Sequence, residues 1–222
     1  MTERQWNGKY DFERYLAATE WLREEKKNHR KLLLWACAAC RRLGNLLADK
    51  RSWKVIEIAE LKADGSAKKA DVDKVREAGK AVPRVRQLLK GTPEEFAASA
   101  PLFLLNPSSA EFSQTAGIRA AISLEKGGVT TQDDEQRLQF DLLHDVFGNP
   151  FRPIAFDPHW RTSTVAKLAE AMYDSRDFST MPLLGDALQD AGCENSEILD
   201  HCRGGKLHIR GCWAIDLVLG KG

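Results

Sequence analysis

A chain of 222 residues with 33 basic and 32 acidic side chains, formal charge +1, is long enough to bury a core without staples and carries no global field that would draw it onto nucleic acid or an anionic membrane. The apolar run Lys31 to Cys40 ends at Arg41-Arg42, short of the roughly 20 residues a bilayer crossing needs. Polar Thr2, Glu3, Arg4 and Gln5 open the chain without the apolar segment of a secretory signal, so the expectation is a cytoplasmic protein with no membrane partner.

In chain order, Phe12, Tyr15, Leu16, Trp21 and Leu22 recur at helical spacing behind Asp11, a capping residue. Asn28 is read as the cap of a second helix, in which Leu32 to Cys40 is apolar nearly all round, the pattern of a helix in the middle of a bundle. A third starts near Ser52, buries Trp53, Ile56 and Ala59, and fades at Ala63-Asp64-Gly65-Ser66. A more polar stripe from Ala70 to Leu89 is interrupted at Pro83, and Gly91 stops it. Thr92-Pro93-Glu94-Glu95 is a capping box with proline at the first helical position. Pro101 to Ser109 predicts a buried connector, followed by a helix capped by Ser108 or Ser109 and closed by Gly127-Gly128. Another runs from Thr131 or Gln132 to Phe147, acidic in its first turn, as suits the positive end of the helix dipole.

Gly148 to Pro153, with Pro158 beyond, breaks the helical pattern and predicts the domain boundary. Helices then follow over 162–173, 182–191 and 195–202, and a last apolar segment covers 207–219. No alternating strand is visible. The predicted fold is therefore an all-α multi-helix bundle of about nine or ten helices, with residues 1–148 as the larger layer and 149–222 as a smaller helical cap, the two forming one continuous unit.

Three segments, Leu34-Trp-Ala-Cys-Ala-Ala-Cys-Arg-Arg42, Phe147-Gly-Asn-Pro-Phe-Arg-Pro153 and Ile198-Leu-Asp-His-Cys-Arg203 with His208-Ile-Arg-Gly-Cys-Trp-Ala-Ile-Asp-Leu-Val-Leu-Gly-Lys221, resemble a large family of uncharacterised proteins expanded in planctomycete bacteria. The C-terminal block is the specific part. Residues from about Ser66 to Gln139 depart from the Ala/Trp-rich helices of that family. The resemblance implies a single continuous unit and transfers no catalytic residue.

Four constellations carry chemistry. Cys37 and Cys40 are three apart on one helix, and His208 and Cys212 four apart on another, so the two pairs together offer the N/S ligands of a tetrahedral zinc site; Cys193, His201 and Cys202 are further donors, with Asp200 as an outer-shell acceptor. Against this stands packing, since all five cysteines of the chain lie in apolar runs and an odd number in such places predicts buried, reduced thiols. The set His201, His208, Cys212, Asp200 and Asp216 has the types of a cysteine nucleophile with its base, yet no oxyanion-forming turn accompanies it. A basic stretch over residues 23–54, with Arg23, Lys26, Lys27, Arg30, Lys31, Arg41, Arg42, Lys50, Arg51 and Lys54 around Trp21, Trp35 and Trp53, has the types of a nucleic-acid surface. Nucleic acid is not favoured, because the tryptophans fall on the apolar stripes.

The fourth is the proline-aromatic loop with Phe151, Arg152, Phe156, His159, Trp160 and Arg161, readable as a binding hot spot or as a strap between helical layers. The function expected from the sequence is a non-catalytic helical protein-interaction module using this loop, with no catalytic residue, no cofactor and a protein partner. Zinc binding and nucleic-acid binding are the alternatives.

Overall fold

The computed structural model describes residues 1–80, 91–106 and 109–221; Pro83, the stripe residues Val82, Val85 and Leu89, Pro107 and the cap at Ser108 lie outside them. The fold is all-α: among the described residues there are twelve α-helices, four short 3-10 turns and no strand. They divide into a unit over Met1–Asp141 and a unit over Leu142–Gly222.

The first unit opens with α1 (Glu3–Trp6), a single turn held by a capping box in which Thr2 Oγ1 accepts from the Gln5 N–H and the Gln5 side chain accepts from the Thr2 N–H. The three- and four-residue spacing further along gives no sign of this turn, yet Trp6 is fully buried. Asp11 caps α2 (Phe12–Arg23) by accepting from the Arg14 N–H at 2.8 Å. α3 (His29–Arg41) is buried on nearly every side and packs against α4 (Lys50–Ala63) and α7 (Ser109–Lys126), the place its all-round apolarity predicts. Asn28 precedes α3 without capping it, because its side-chain amide is donated to the Leu22 carbonyl at 3.0 Å instead.

α5 (Lys69–Lys80) and α6 (Pro93–Ser99) follow, the latter with Thr92 Oγ1 accepting from the Glu95 N–H. The predicted connector at Pro101 is a 3-10 turn that buries Leu104 and Leu105. α8 (Gln132–Phe147) enters with Thr131 Oγ1 accepting from the Asp134 N–H at 3.0 Å. Gln139 on α8 ties the unit together: its backbone carbonyl accepts from the Trp35 indole at 2.8 Å and its side chain from the Tyr15 hydroxyl at 3.0 Å. Gly117 is glycine because a Cβ there would lie 2.7 Å from Gln139 Oε1 and 3.0 Å from the Trp35 ring. Two carboxylates in this core are matched by bidentate arginines, Glu60 by Arg41 and Glu135 by Arg42, as a buried acid requires.

The boundary between units falls inside α8 rather than at residue 148. Asp145, in the last turn of α8, hydrogen-bonds to His208 and accepts from the Ile209 N–H of the C-terminal unit. That unit contains α9 (Ser163–Ser175), α10 (Met181–Asp190), α11 (Ser196–Arg203) and α12 (Trp213–Leu219) around a core that includes Val165, Met172, Leu184, Ile198, Cys212 and Ile215. Thr162 caps α9 and Asn195 caps α11 through side-chain oxygens that accept from Val165 N–H and Ile198 N–H. The apolar segment over 207–219 is helical only from Trp213, since Gly205 and Gly211 hold positive φ values of 61° and 96° and break the helix between α11 and α12.

Candidate metal centre

The chain between α11 and α12 turns sharply. The Cys212 N–H donates to the Ile209 carbonyl at 2.9 Å with Gly211 at φ +96° in the third position, the backbone a type II turn demands. His208 and Cys212 are thus brought together across a turn, and not along one helical face as their spacing predicts. Cys212 occupies the N-cap position of α12, while His201 is on the last turn of α11 and Asp145 on the last turn of α8.

These four side chains from three segments converge. His208 Nδ1 donates to Asp145 Oδ1 at 2.7 Å, His201 Nε2 lies 3.3 Å from that oxygen and 3.1 Å from Cys212 Sγ, and Cys212 Sγ is 3.8 Å from His208 Nδ1. One donor atom from each residue falls within 4.8 Å of every other. Asp145 Oδ2 accepts from the Ile209 N–H at 3.0 Å, and His201 Nδ1 accepts from the Trp213 indole at 3.2 Å. Asp145, His208 and Cys212 are buried.

Burial works to raise the Asp145 pKa, but hydrogen bonding and electrostatic interaction with His201 and His208 outweigh it and hold the carboxyl below the ordinary range. Burial first, and the Asp145 charge second, push the Cys212 thiol well above its ordinary value. A buried thiol of raised pKa is a poor nucleophile. Asp200, one of the carboxylates of the predicted cysteine-nucleophile set, is exposed, and it is Asp145 that meets the two imidazoles.

Of the donors named from sequence, His201, His208 and Cys212 come together, and Asp145 completes the group. Cys37 and Cys40 are core residues of the first unit, where the Cys37 thiol points at the Ile56 carbonyl at 4.0 Å and burial raises the Cys40 pKa. Cys193 and Cys202 belong to the apolar core of the second. Asp145 belongs to none of the Cys/His groups read from the sequence, but it follows His144 directly, Leu142 by three residues and Leu138 by seven. A carboxylate on the apolar stripe of a helix is a legible signal, because aspartate is almost never buried unless paired.

Phe156 and Trp160 meet edge to face at 5.5 Å and both pack on the C-terminal core. Arg161 stacks over Phe156 and donates to the Val218 and Leu217 carbonyls at the end of α12. Phe151 donates its N–H to Asn149 Oδ1, and only Arg152, His159 and Arg161 of the six loop residues are exposed.

In the basic stretch the cations are largely matched by acids: Lys27 with Glu25, Arg30 with Asp64, Arg41 with Glu60, Arg42 with Glu135, Arg51 with Asp49 and Lys54 with Glu57. Trp35 is fully buried, Trp21 lies against Trp6, and the Trp53 indole donates to the Leu47 carbonyl. Among the described residues no helix is long and apolar enough to cross a membrane. No family model, curated protein or solved structure matches the chain.

Proposed function

We propose that this is a zinc-binding helical protein whose C-terminal unit holds one structural ion through Asp145, His201, His208 and Cys212. The observation that carries the reading is the convergence of four ligand atoms of the appropriate types from three chain segments within 4.8 Å. Ligand bonds of about 2.0–2.3 Å in a tetrahedron set ligand-to-ligand separations of about 3.3–3.6 Å. The contacts between neighbouring donors, 2.7 to 3.8 Å, bracket that range, and every pair lies within 4.8 Å, so the four atoms need only draw in around an ion.

The donor set of one thiolate, two imidazoles and one carboxylate suits zinc and its close neighbours rather than magnesium or calcium, which prefer oxygen alone. Four protein ligands leave no open position for water, which makes the centre structural rather than catalytic. Such an ion would join the end of α8 to both sides of the Gly-rich turn between α11 and α12.

Metal analysis of protein purified without chelator tests this directly. We expect about one zinc per chain, lost in Asp145→Ala and held more weakly in Cys212→Ser. Zinc at a hundredfold excess over Kd should stabilise the metal-free protein by about 2.7 kcal/mol. Protein that takes up no zinc and melts at the same temperature with and without it overturns the reading.

A further inference from the structure

On the premise that this centre takes zinc, we propose that Trp213 restrains the metal affinity by holding His201 in the tautomer that cannot ligate through Nε2. An indole N–H is a donor and never an acceptor. With Trp213 Nε1 at 3.2 Å from His201 Nδ1, that ring nitrogen is the acceptor. A neutral imidazole accepting at Nδ1 carries its hydrogen on Nε2. The surroundings agree, because Nε2 faces two acceptors, Cys212 Sγ at 3.1 Å and Asp145 Oδ1 at 3.3 Å.

Ligation needs the opposite arrangement. The Nε2 lone pair must be free for the ion, which moves the hydrogen to Nδ1, where it would point at the Trp213 N–H. Metal-ligating histidines normally give that second N–H to an acceptor; here a donor stands in its place. The indole has little room in which to turn, since its ring lies 4.7 Å from the His201 ring and a Cβ on Gly148 would approach Trp213 Cγ, Cδ2 and Cδ1 at 3.1–3.3 Å. Gly148 also holds φ +61°, a backbone that favours glycine, so the ring and the end of α8 are fitted to each other. Metal entry therefore breaks the Trp213–His201 hydrogen bond and shifts the indole. The metal-free network is complete in itself, and Trp213 is the positioning residue that favours it over the metal-bound arrangement.

Trp213→Phe keeps the aromatic surface and removes the N–H. Competition against a chromophoric chelator should show this variant binding zinc about tenfold more tightly, the equivalent of one net hydrogen bond. Zinc should change the indole emission of the wild-type protein, and that change should vanish in Trp213→Phe although five other tryptophans remain of the 6 in the chain. Cobalt(II) should give a tetrahedral thiolate spectrum in both proteins. Long-range proton–nitrogen spectra of the metal-free wild-type protein should place the His201 hydrogen on Nε2. A hydrogen on Nδ1, or zinc affinity unchanged or weaker in a variant of normal helical content, overturns the role of Trp213 while leaving the centre intact. Failure of both proteins to take up zinc or cobalt overturns the centre, and this role with it.

Discussion

Asp145 concentrates the chemistry of the C-terminal unit in one carboxylate: one oxygen faces two imidazoles and the other takes a backbone N–H. Leaving such a group buried and unpaired costs several kcal/mol, so any arrangement of the unit must supply Asp145 with protons or with a cation. Cysteine illustrates the opposite case. Burial pushes the Cys202 thiol up to about 12 and raises those of Cys40 and Cys212 as well. A raised pKa keeps the thiol neutral at pH 8, and the thiolate is the reactive form. Native metal-free protein at pH 8 should therefore react with a chromogenic disulfide at fewer than about one thiol within minutes, against all 5 cysteines once denatured. Rapid stoichiometric labelling of Cys212 in the native protein would instead restore the nucleophile reading.

At the scale of the element, the last helix depends on a residue far from it in sequence. Arg161 Nε donates to the Val218 carbonyl at 2.5 Å and Nη2 to the Leu217 carbonyl at 3.1 Å, satisfying acceptors that a helix end leaves without partners. Arg161→Met retains the stem over Phe156 and removes both bonds. Denaturant unfolding should show a loss of about 1–2 kcal/mol, and an unchanged midpoint would contradict the capping role. Elements with local signals were legible in the sequence: Asp11 before α2, Thr92-Pro93 before α6 and the all-round apolarity of α3 each predict what is found. Where a side chain had a competing partner, the local rule failed. Asn28 gave its amide to Leu22, and the run through Leu207 lost its helix to Gly211, whose φ of 96° belongs to a turn.

For the whole molecule, the all-helical architecture followed from periodicity, because burial of one face per helix is written into spacing of three and four. The candidate site was only half legible. His208 and Cys212 stand out as ligand types, but their partners come from α8 and α11, and proximity between segments so far apart is a property of the fold. The pairing with Cys37 and Cys40 used ligand type without that information. The proline-aromatic loop was likewise ambiguous in sequence, since half-buried aromatics and interface anchors share a composition; Phe156 and Trp160 are partly buried against the C-terminal core.

The central claim is the identity of the four ligands, and zinc-edge X-ray absorption on protein loaded with one equivalent of zinc reports it most directly. The account predicts one sulfur at about 2.3 Å and three nitrogen or oxygen donors at about 2.0–2.1 Å, with the sulfur replaced by a lighter atom in Cys212→Ser. A shell without sulfur, or one that keeps its sulfur in that variant, would contradict it.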